Sequence, residues 1–308
     1  MALTPAKAKE EVLALLLAPV FQPEAFRVDR SRPFAFICGG NNNNGCSALR
    51  YQFLDWVTKP PILIVPVLAE RTFAHQLVER NLQKFEQFLA STADCVLIFV
   101  ESPGSFAETG LFAALNQTIK KTFIVNTREQ ARKNSFLNTG PIKLIRRKSN
   151  FDTVFELADK CVTPTDAQGI VERILSTCTK YEKALVFHPP EKKFTSLNIR
   201  LQLGCVHLTV SLMRAVSADL VTSVLREYFK EVDREVVEML LSLLTGINLI
   251  RRTDELYFNP RPDGLKNDEL IRSVAFSEEQ IKARVLEWQA KNNSQAATFL
   301  REQLGVDI

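Results

Sequence analysis

Four short apolar runs, Phe34–Cys38, Ile62–Val67, Cys95–Val100 and Thr122–Val125, recur along the first part of the chain with helical patterns between them. This alternation predicts strands of a parallel sheet joined by crossover helices. Between the second and third runs, Phe73 to Leu89 sets Leu77, Leu82, Phe85, Phe88 and Leu89 among charges, the pattern of one helical face. Phe106 to Lys121, between the third and fourth, is helical again. Right-handed crossovers then cover both faces of a doubly wound, Rossmann-like sheet. Such sheets bind ligands beyond the carboxyl ends of their strands, so a site is expected just after these runs.

Past about Tyr181 the pattern changes. Pro189 and Pro190, followed by Glu191, Lys192 and Lys193, read as a linker. Asp219 is placed to cap a helix carrying Leu220, Val221, Val224, Leu225, Tyr228 and Phe229. Asp233 is placed to cap another with Val236, Val237, Leu240, Leu241 and Leu244, which Gly246 ends. In NLIRRTDELYF two apolar pairs flank the polar turn Arg251 to Glu255, as in a short hairpin. Helix, turn, helix and hairpin describe a winged helix. After it, Ser277 and Gln280 form a capping-box pair ahead of a helix with Ile281, Val285 and Trp288. The expected architecture is therefore α/β, with a doubly wound parallel-sheet (Rossmann-like) domain over 1–180 and a mainly helical winged-helix domain over 181–308.

Composition narrows the class of protein. Hydrophobic residues are 46% and charged residues 24%, ordinary for a soluble globular chain. No stretch approaches the roughly 18 uninterrupted apolar residues a membrane span needs, and no membrane association is expected. The N-terminal segment has Glu10 and Glu11 ahead of its apolar residues and no small-residue cleavage site, so it reads as an amphipathic helix and not a secretory signal. Cys38, Cys46, Cys95, Cys161, Cys178 and Cys205 form no CxxC pair, which suggests neither a metal site nor a disulfide framework; a reducing cytoplasm and no resident cofactor are expected. Lys120 to Lys148 carries nine Lys and Arg against the single acid Glu129. Such a face is equally consistent with plain solvation and with a phosphate or nucleic-acid contact, and Arg146, Arg147 and Lys148 at its end are the candidates for the latter.

Two strand-end loops hold the candidate chemistry. In Cys38-Gly39-Gly40-Asn41 and the residues that follow, the glycines let backbone approach a ligand and the asparagines offer amide hydrogen bonds, although a simple strand-to-helix turn uses the same residues. In Glu101-Ser102-Pro103-Gly104-Ser105, Pro103 and Gly104 are expected to turn the chain and Ser105 to start a helix whose exposed N–H groups favour anions. Glu108 then falls in the first turn. Ser105-Phe106-Ala107-Glu108 is itself a capping box, so Glu108 has a purely structural reading beside a catalytic one. Asp94, at the opposite end of its strand, reads as structural.

The segment ADCVLIFVESPGSFAETGLF (Ala93 to Phe112) resembles the strand, loop and helix of the nucleoside deoxyribosyltransferase family, with Glu108 at the position of the glutamate that attacks the sugar. FICGG, ESPGSFAE-x-G and SFLNTGP-x-KL-x-R (Ser135 to Arg146) together resemble the retron-associated effectors, which join such a domain to a C-terminal winged helix. The aspartate-rich loop that ordinary deoxyribosyltransferases use for the base is replaced here by Glu101-Ser102-Pro103, which argues against base exchange. The resemblance implies an anti-phage effector held by a reverse transcriptase and its multicopy single-stranded DNA, assembly into higher oligomers, and N-glycosidase activity against NAD or another nucleotide.

Breaking an N-glycosidic bond passes through an oxocarbenium-like state that a carboxylate can stabilise or trap covalently, and Glu108 suits either role. Nicotinamide leaves from an already cationic nitrogen, whereas a neutral purine needs an acid. No histidine lies in the two loops, which favours NAD, although a protonated Glu101 or Asp94 could supply that acid. Glu101 could also bind a ribose hydroxyl or orient Glu108. In the second winged-helix helix, Arg234 faces Asp233, Glu235 and Glu238, a balance that repels phosphates and leaves Arg251 and Arg252 as the nucleic-acid candidates, in a module that docks protein and branched nucleic acid. The rival reading is a regulator without catalysis: a nucleotide-sensing sheet domain coupled to a DNA-binding winged helix.

Overall fold

The computed structural model describes residues 5–40, 48–73, 81–149, 152–178, 184–189, 193–253, 255–259 and 271–304. Two compact units divide the chain: Ser31–Arg71 with Asn81–Glu182, and Met1–Arg30 with Thr72–Arg80 and Lys183–Ile308.

The first unit is built on five parallel strands, β2 (Phe34–Cys38), β3 (Val65–Val67), β4 (Cys95–Phe99), β5 (Thr122–Thr127) and β6 (Val154–Leu157), in the order β3-β2-β4-β5-β6. β2, β4 and β5 are buried at every position, as continuous apolar runs require when helices cover both faces. The first four correspond to the runs Phe34–Cys38, Ile62–Val67, Cys95–Val100 and Thr122–Val125. β3 forms only over the last part of its run, which follows Pro60 and Pro61 and contains Pro66. β6, in the mixed stretch VFEL, is an addition to the sequence-based expectation.

Helices α2 (Leu49–Val57) and α8 (Pro164–Cys178) fill one face of the sheet, packing Leu49, Phe53, Ile170 and Ile174 against Leu97, Phe99, Phe123 and Val125. Helix α5 (Pro103–Ala114) covers the other, where Phe112 meets Phe36 edge-on at 5.9 Å. Short helices α6 (Arg128–Ala131) and α7 (Lys143–Lys148) and the longer α4 (Leu82–Thr92) complete this unit, and α3 (Ala69–Phe73) begins within it. Part of the helix expected over Phe73–Leu89 lies outside the described residues. The order of strands reverses between β2 and β4, whose following helices leave to opposite faces. That is the switch point at which doubly wound sheets open a crevice.

The second unit differs from a simple 181–308 domain because the N-terminal segment joins it. Helix α1 (Pro5–Leu17) packs on α10 (Ala218–Tyr228) and α12 (Glu278–Asn292), and Tyr228 donates its hydroxyl hydrogen to the Ala14 carbonyl. Strand β1 (Phe26–Asp29) pairs antiparallel with β7 (Ala184–Val186) and β11 (Ile271–Ser273). An amphipathic helix must bury its apolar stripe, and here the partner is far away in sequence. In chain order α9 (Ile199–Met213), β8 (Ala215–Ser217), α10, α11 (Arg234–Gly246) and the hairpin β9 (Arg251–Thr253) and β10 (Leu256–Phe258) follow, with α13 (Ser294–Leu304) after α12. The helix-helix-hairpin succession is as expected, preceded by α9 and β8, and the three strands form one sheet in the order β8-β10-β9. Asp233 caps α11 as expected, but Ser217 caps α10 by accepting from the Leu220 N–H, leaving Asp219 in the first turn. No helix among the described residues is long and apolar enough to cross a membrane.

Candidate functional site

The loops after β2 and β4 flank the switch point, and Glu101 ties them together. Its carboxylate accepts hydrogen bonds from the N–H groups of Gly40 at 2.9 Å, Leu49 at 2.6 Å and Arg50 at 3.2 Å. Ala48, the N-cap of α2, has no side chain to satisfy that helix's first donors, so a carboxylate from another strand does it. With three N–H groups on it, Glu101 is a fastener of the site's wall. Its packing explains the glycines: a Cβ on Gly39 would come within 2.9 Å of the Arg50 Cβ and 3.0 Å of Glu101 Oε1, and one on Gly40 within 3.2 Å of Glu101 Cγ. Asn41 lies outside the described residues.

Beyond β4 the chain enters helix three residues earlier than the sequence suggested. Ser102, not Ser105, is the N-cap: its hydroxyl accepts from the Ser105 N–H at 3.2 Å, while Ser105 Oγ accepts from the Ser102 N–H at 3.0 Å, closing the capping box. Pro103 occupies the first helical position, where a missing N–H costs nothing and the ring's fixed φ already suits a helix, so Pro103 and Gly104 begin α5 and do not form a turn before it. Gly104 has open space around it: a Cβ there would meet only the Ser102 hydroxyl, at 3.8 Å.

This correction releases Glu108. With Ser102 and Ser105 satisfying the helix start, Glu108 has no capping duty. It stands in the second turn, three residues on from buried Ser105 and four before buried Phe112, on the stripe of α5 that faces the sheet. Its Oε2 is buried without a hydrogen-bond partner. Burial pushes its pKa from the usual carboxylate value to about 7, helped by the negative charges of Glu86 on α4 and Glu70 on α3 and opposed by Arg50 and a hydrogen bond from the Cys38 thiol. Cys38, at the end of β2, thus contacts the carboxylate, and burial followed by the Glu108 charge holds its own thiol strongly protonated.

Three residues here escaped the sequence reading. Arg50 is 4% exposed and its guanidinium grips Glu70 through contacts of 2.8 and 3.4 Å. The signal was available: Arg50, Phe53, Leu54 and Val57 form one helical stripe, and an arginine inside an apolar stripe announces a buried ion pair. Glu70 and Glu86 carried no such mark, since each is one acid among several polar neighbours on its helix. Asp94 is structural as expected, accepting from the Phe34 N–H at 2.8 Å.

Of the proposed contact residues, Arg146, Arg147 and Lys148 are exposed on α7, with Arg146 3.4 Å from Glu156. Part of the basic stretch is used internally: Lys121 donates to the carbonyls of Ser91 and Ala93, and Lys133 and Lys160 both reach Glu129. The SFLNTGP motif folds as a π-helical turn, Asn138–Ile142, packed beside α5, with the Asn138 amide donating to the carbonyls of Gln130 and Lys133 at 2.8 Å each. In the second unit Arg251 is exposed and Arg252 lies over the Tyr257 ring at 5.7 Å. Glu238, an exposed acid by its sequence setting, is instead fully buried and paired with Arg234 at 3.1 Å, and Arg234 also holds Asp219 at 2.7 Å. The surface of α11 is thus less acidic than its sequence implied, but its single arginine is engaged.

Comparison with known proteins places the chain. The STM3845 retron effector protein family matches residues 46–252, about two thirds of the chain, a span that includes Arg50, Glu70, Glu101, Glu108, Arg251 and Arg252. "Retron Ec73 putative ribosyltransferase/DNA-binding protein" of Escherichia coli is 36% identical over 124 residues, 38% of this chain and 39% of the relative. "Retron Ec86 putative ribosyltransferase/DNA-binding protein" of Escherichia coli is 26% identical over 157 residues, 48% of this chain and 51% of the relative. The chain therefore spans about half or less of the length of these curated relatives. The family match over most of the chain carries the assignment: this protein belongs to the retron effector family.

Proposed function

We propose that the protein cleaves the N-glycosidic bond of NAD or a related nucleotide with Glu108 as the reacting carboxylate, as an anti-phage effector toxin controlled by a reverse transcriptase and its multicopy single-stranded DNA. The observation that carries this reading is the buried, unpartnered Oε2 of Glu108, free of capping duty near the switch point where the strand order reverses. A native fold rarely leaves a buried carboxylate oxygen unsatisfied, and such atoms concentrate where a ligand completes the site. The ribosyltransferase names of the two relatives favour the same chemistry.

In this mechanism the nucleotide enters the crevice with its anomeric carbon facing Glu108. As the bond to the base breaks and its electron pair leaves with the base, positive charge grows on the sugar. Glu108, acting as the carboxylate after losing its proton to solvent, stabilises that charge or bonds to the anomeric carbon. Water then bonds to the anomeric carbon, loses a proton to solvent and, where the carboxylate has bonded, displaces it, completing hydrolysis. Glu101, Gly39 and Gly40 set the wall, Arg50 restrains Glu70, and the Cys38 thiol orients Glu108. The cationic nicotinamide of NAD needs no proton to leave, and the acidic surroundings of Glu108 favour a cationic donor over a neutral purine nucleoside.

Incubating the protein, alone and with its reverse transcriptase–DNA complex, with NAD and a panel of nucleotides identifies the substrate by the free base released. Nicotinamide is expected; adenine would keep the mechanism and move the substrate; nucleotide bound stoichiometrically and left intact would favour the sensor reading, for which the DNA-binding half of the relatives' names speaks. The exposure of Arg251 supports a partner contact at the β9–β10 hairpin. Arg251→Glu with Arg252→Glu is expected to weaken binding to the complex at least tenfold by pull-down or calorimetry, with the loss shrinking as salt rises. Unchanged binding would remove the hairpin from the interface.

A further inference from the structure

β5 reads TFIVNT, an apolar buried strand interrupted by one amide, Asn126. Parallel register fixes the direction of its side chain. Cys38 is level with Ile98 and Ile98 with Ile124. Residues level in a parallel sheet share a face and successive residues alternate, so Asn126 lies on the face of Cys38, Ile98 and Ile124. Phe123 and Val125 belong to the opposite core, with α2 and α8. The Asn126 face is the one α5 covers, since Phe36 shares it and meets Phe112 there. Along the strand, Val125 is level with Phe99, which sets Asn126 level with Val100, just before Glu101. Asn126 therefore stands at the carboxyl edge of the sheet, on the side that carries Glu108.

Asn126 is 2% exposed, and its Oδ1 is buried and accepts no hydrogen bond. Two acceptor atoms, Asn126 Oδ1 and Glu108 Oε2, are thus left unsatisfied on one face of one sheet edge. An amide oxygen seeks a donor. Phosphate oxygens at neutral pH are acceptors, whereas a sugar hydroxyl donates. Resting on the glycosidase reading above, we propose that Asn126 is a substrate-positioning residue whose Oδ1 accepts a hydroxyl hydrogen of the sugar that presents its anomeric carbon to Glu108. Holding one hydroxyl fixes the rotation of the ring, which is what alignment with a single carboxylate requires.

The test uses the full-length protein and NAD as probe. Asn126→Leu is close in shape and removes the unsatisfied amide, so its melting temperature should equal or exceed that of the parent. In a Glu108→Gln background, which keeps NAD intact, Asn126→Leu is expected to weaken NAD binding about tenfold by calorimetry. Equal affinity overturns the proposal, and so does an affinity loss accompanied by a fall of several degrees in melting temperature, which would mark a structural amide. Absence of any NAD binding by the Glu108→Gln protein overturns both this proposal and the choice of NAD. If wild type binds NAD without releasing base, the glycosidase reading fails alone, and the affinity difference still decides whether Asn126 holds the ligand.

Discussion

Replacing Glu108 by glutamine is expected to abolish base release and, above pH 7, to make the protein more stable. The first effect is a loss of at least roughly a thousandfold in turnover, the order expected when the group that meets developing charge in the transition state is removed. The second follows from the pKa of about 7 that burial and the Glu86 charge impose on Glu108. The folded protein holds the Glu108 proton more tightly than the unfolded chain, so ionising it opposes folding. That cost grows as pH rises from about 4.5, is complete above about 7, and is on the order of 3 kcal/mol. Glutamine, neutral throughout, escapes it. Thermal melting at pH 8 should place Glu108→Gln several degrees above wild type, with the two converging near pH 4. Higher stability with no activity is the signature of a residue held in a strained electrostatic setting for its chemistry; lower stability at pH 8 would mark Glu108 as part of the scaffold. The same pKa predicts that kcat/KM climbs with pH through about 7, because the acting form is the carboxylate.

Glu101→Ala is expected to cost roughly 2–4 kcal/mol, because three N–H donors at Gly40, Leu49 and Arg50 lose a charged acceptor together. The first turn of α2 then frays, carrying Arg50 and the Gly39–Gly40 wall with it. Denaturant melts should report the stability loss, and kcat/KM should fall at least about tenfold as the crevice loses its shape. Glu101→Gln keeps the volume but points amide hydrogens at backbone donors, so it should recover only part of either. Full activity in a stable Glu101→Ala protein would mean that the β2 loop has no part in the site.

Much of this arrangement was written locally in the chain. The buried parallel strands declared themselves as apolar runs, which placed the loops after β2 and β4 at the sheet's carboxyl edge. Features that depend on distant partners were not legible. The first thirty residues advertise an amphipathic helix without naming the core that receives it; the packing of α1 on α10 and α12 and the pairing of β1 with β7 and β11 place them in the second unit. At α5, two serines three residues apart each offered a cap, and Pro103 decided between them by its fitness for the first helical position. That one-turn difference separates a Glu108 that satisfies backbone from one with no capping duty. Glu238 carried the opposite lesson: an acid in a charged helix start looks exposed, yet it is buried beneath Arg234. Asn126 lies just past the run Thr122–Val125 that marked its strand, and its missing partner is a three-dimensional fact.

Whether Glu108 breaks a glycosidic bond is measured most directly by following free nicotinamide over time from NAD incubated with wild-type protein and with Glu108→Gln, each with and without the reverse transcriptase–DNA complex. Many nicotinamides released per wild-type chain in at least one of the two states, and none above background from Glu108→Gln in either, is the expected result. Equal release by the two proteins, or NAD bound and intact in every state, would contradict it.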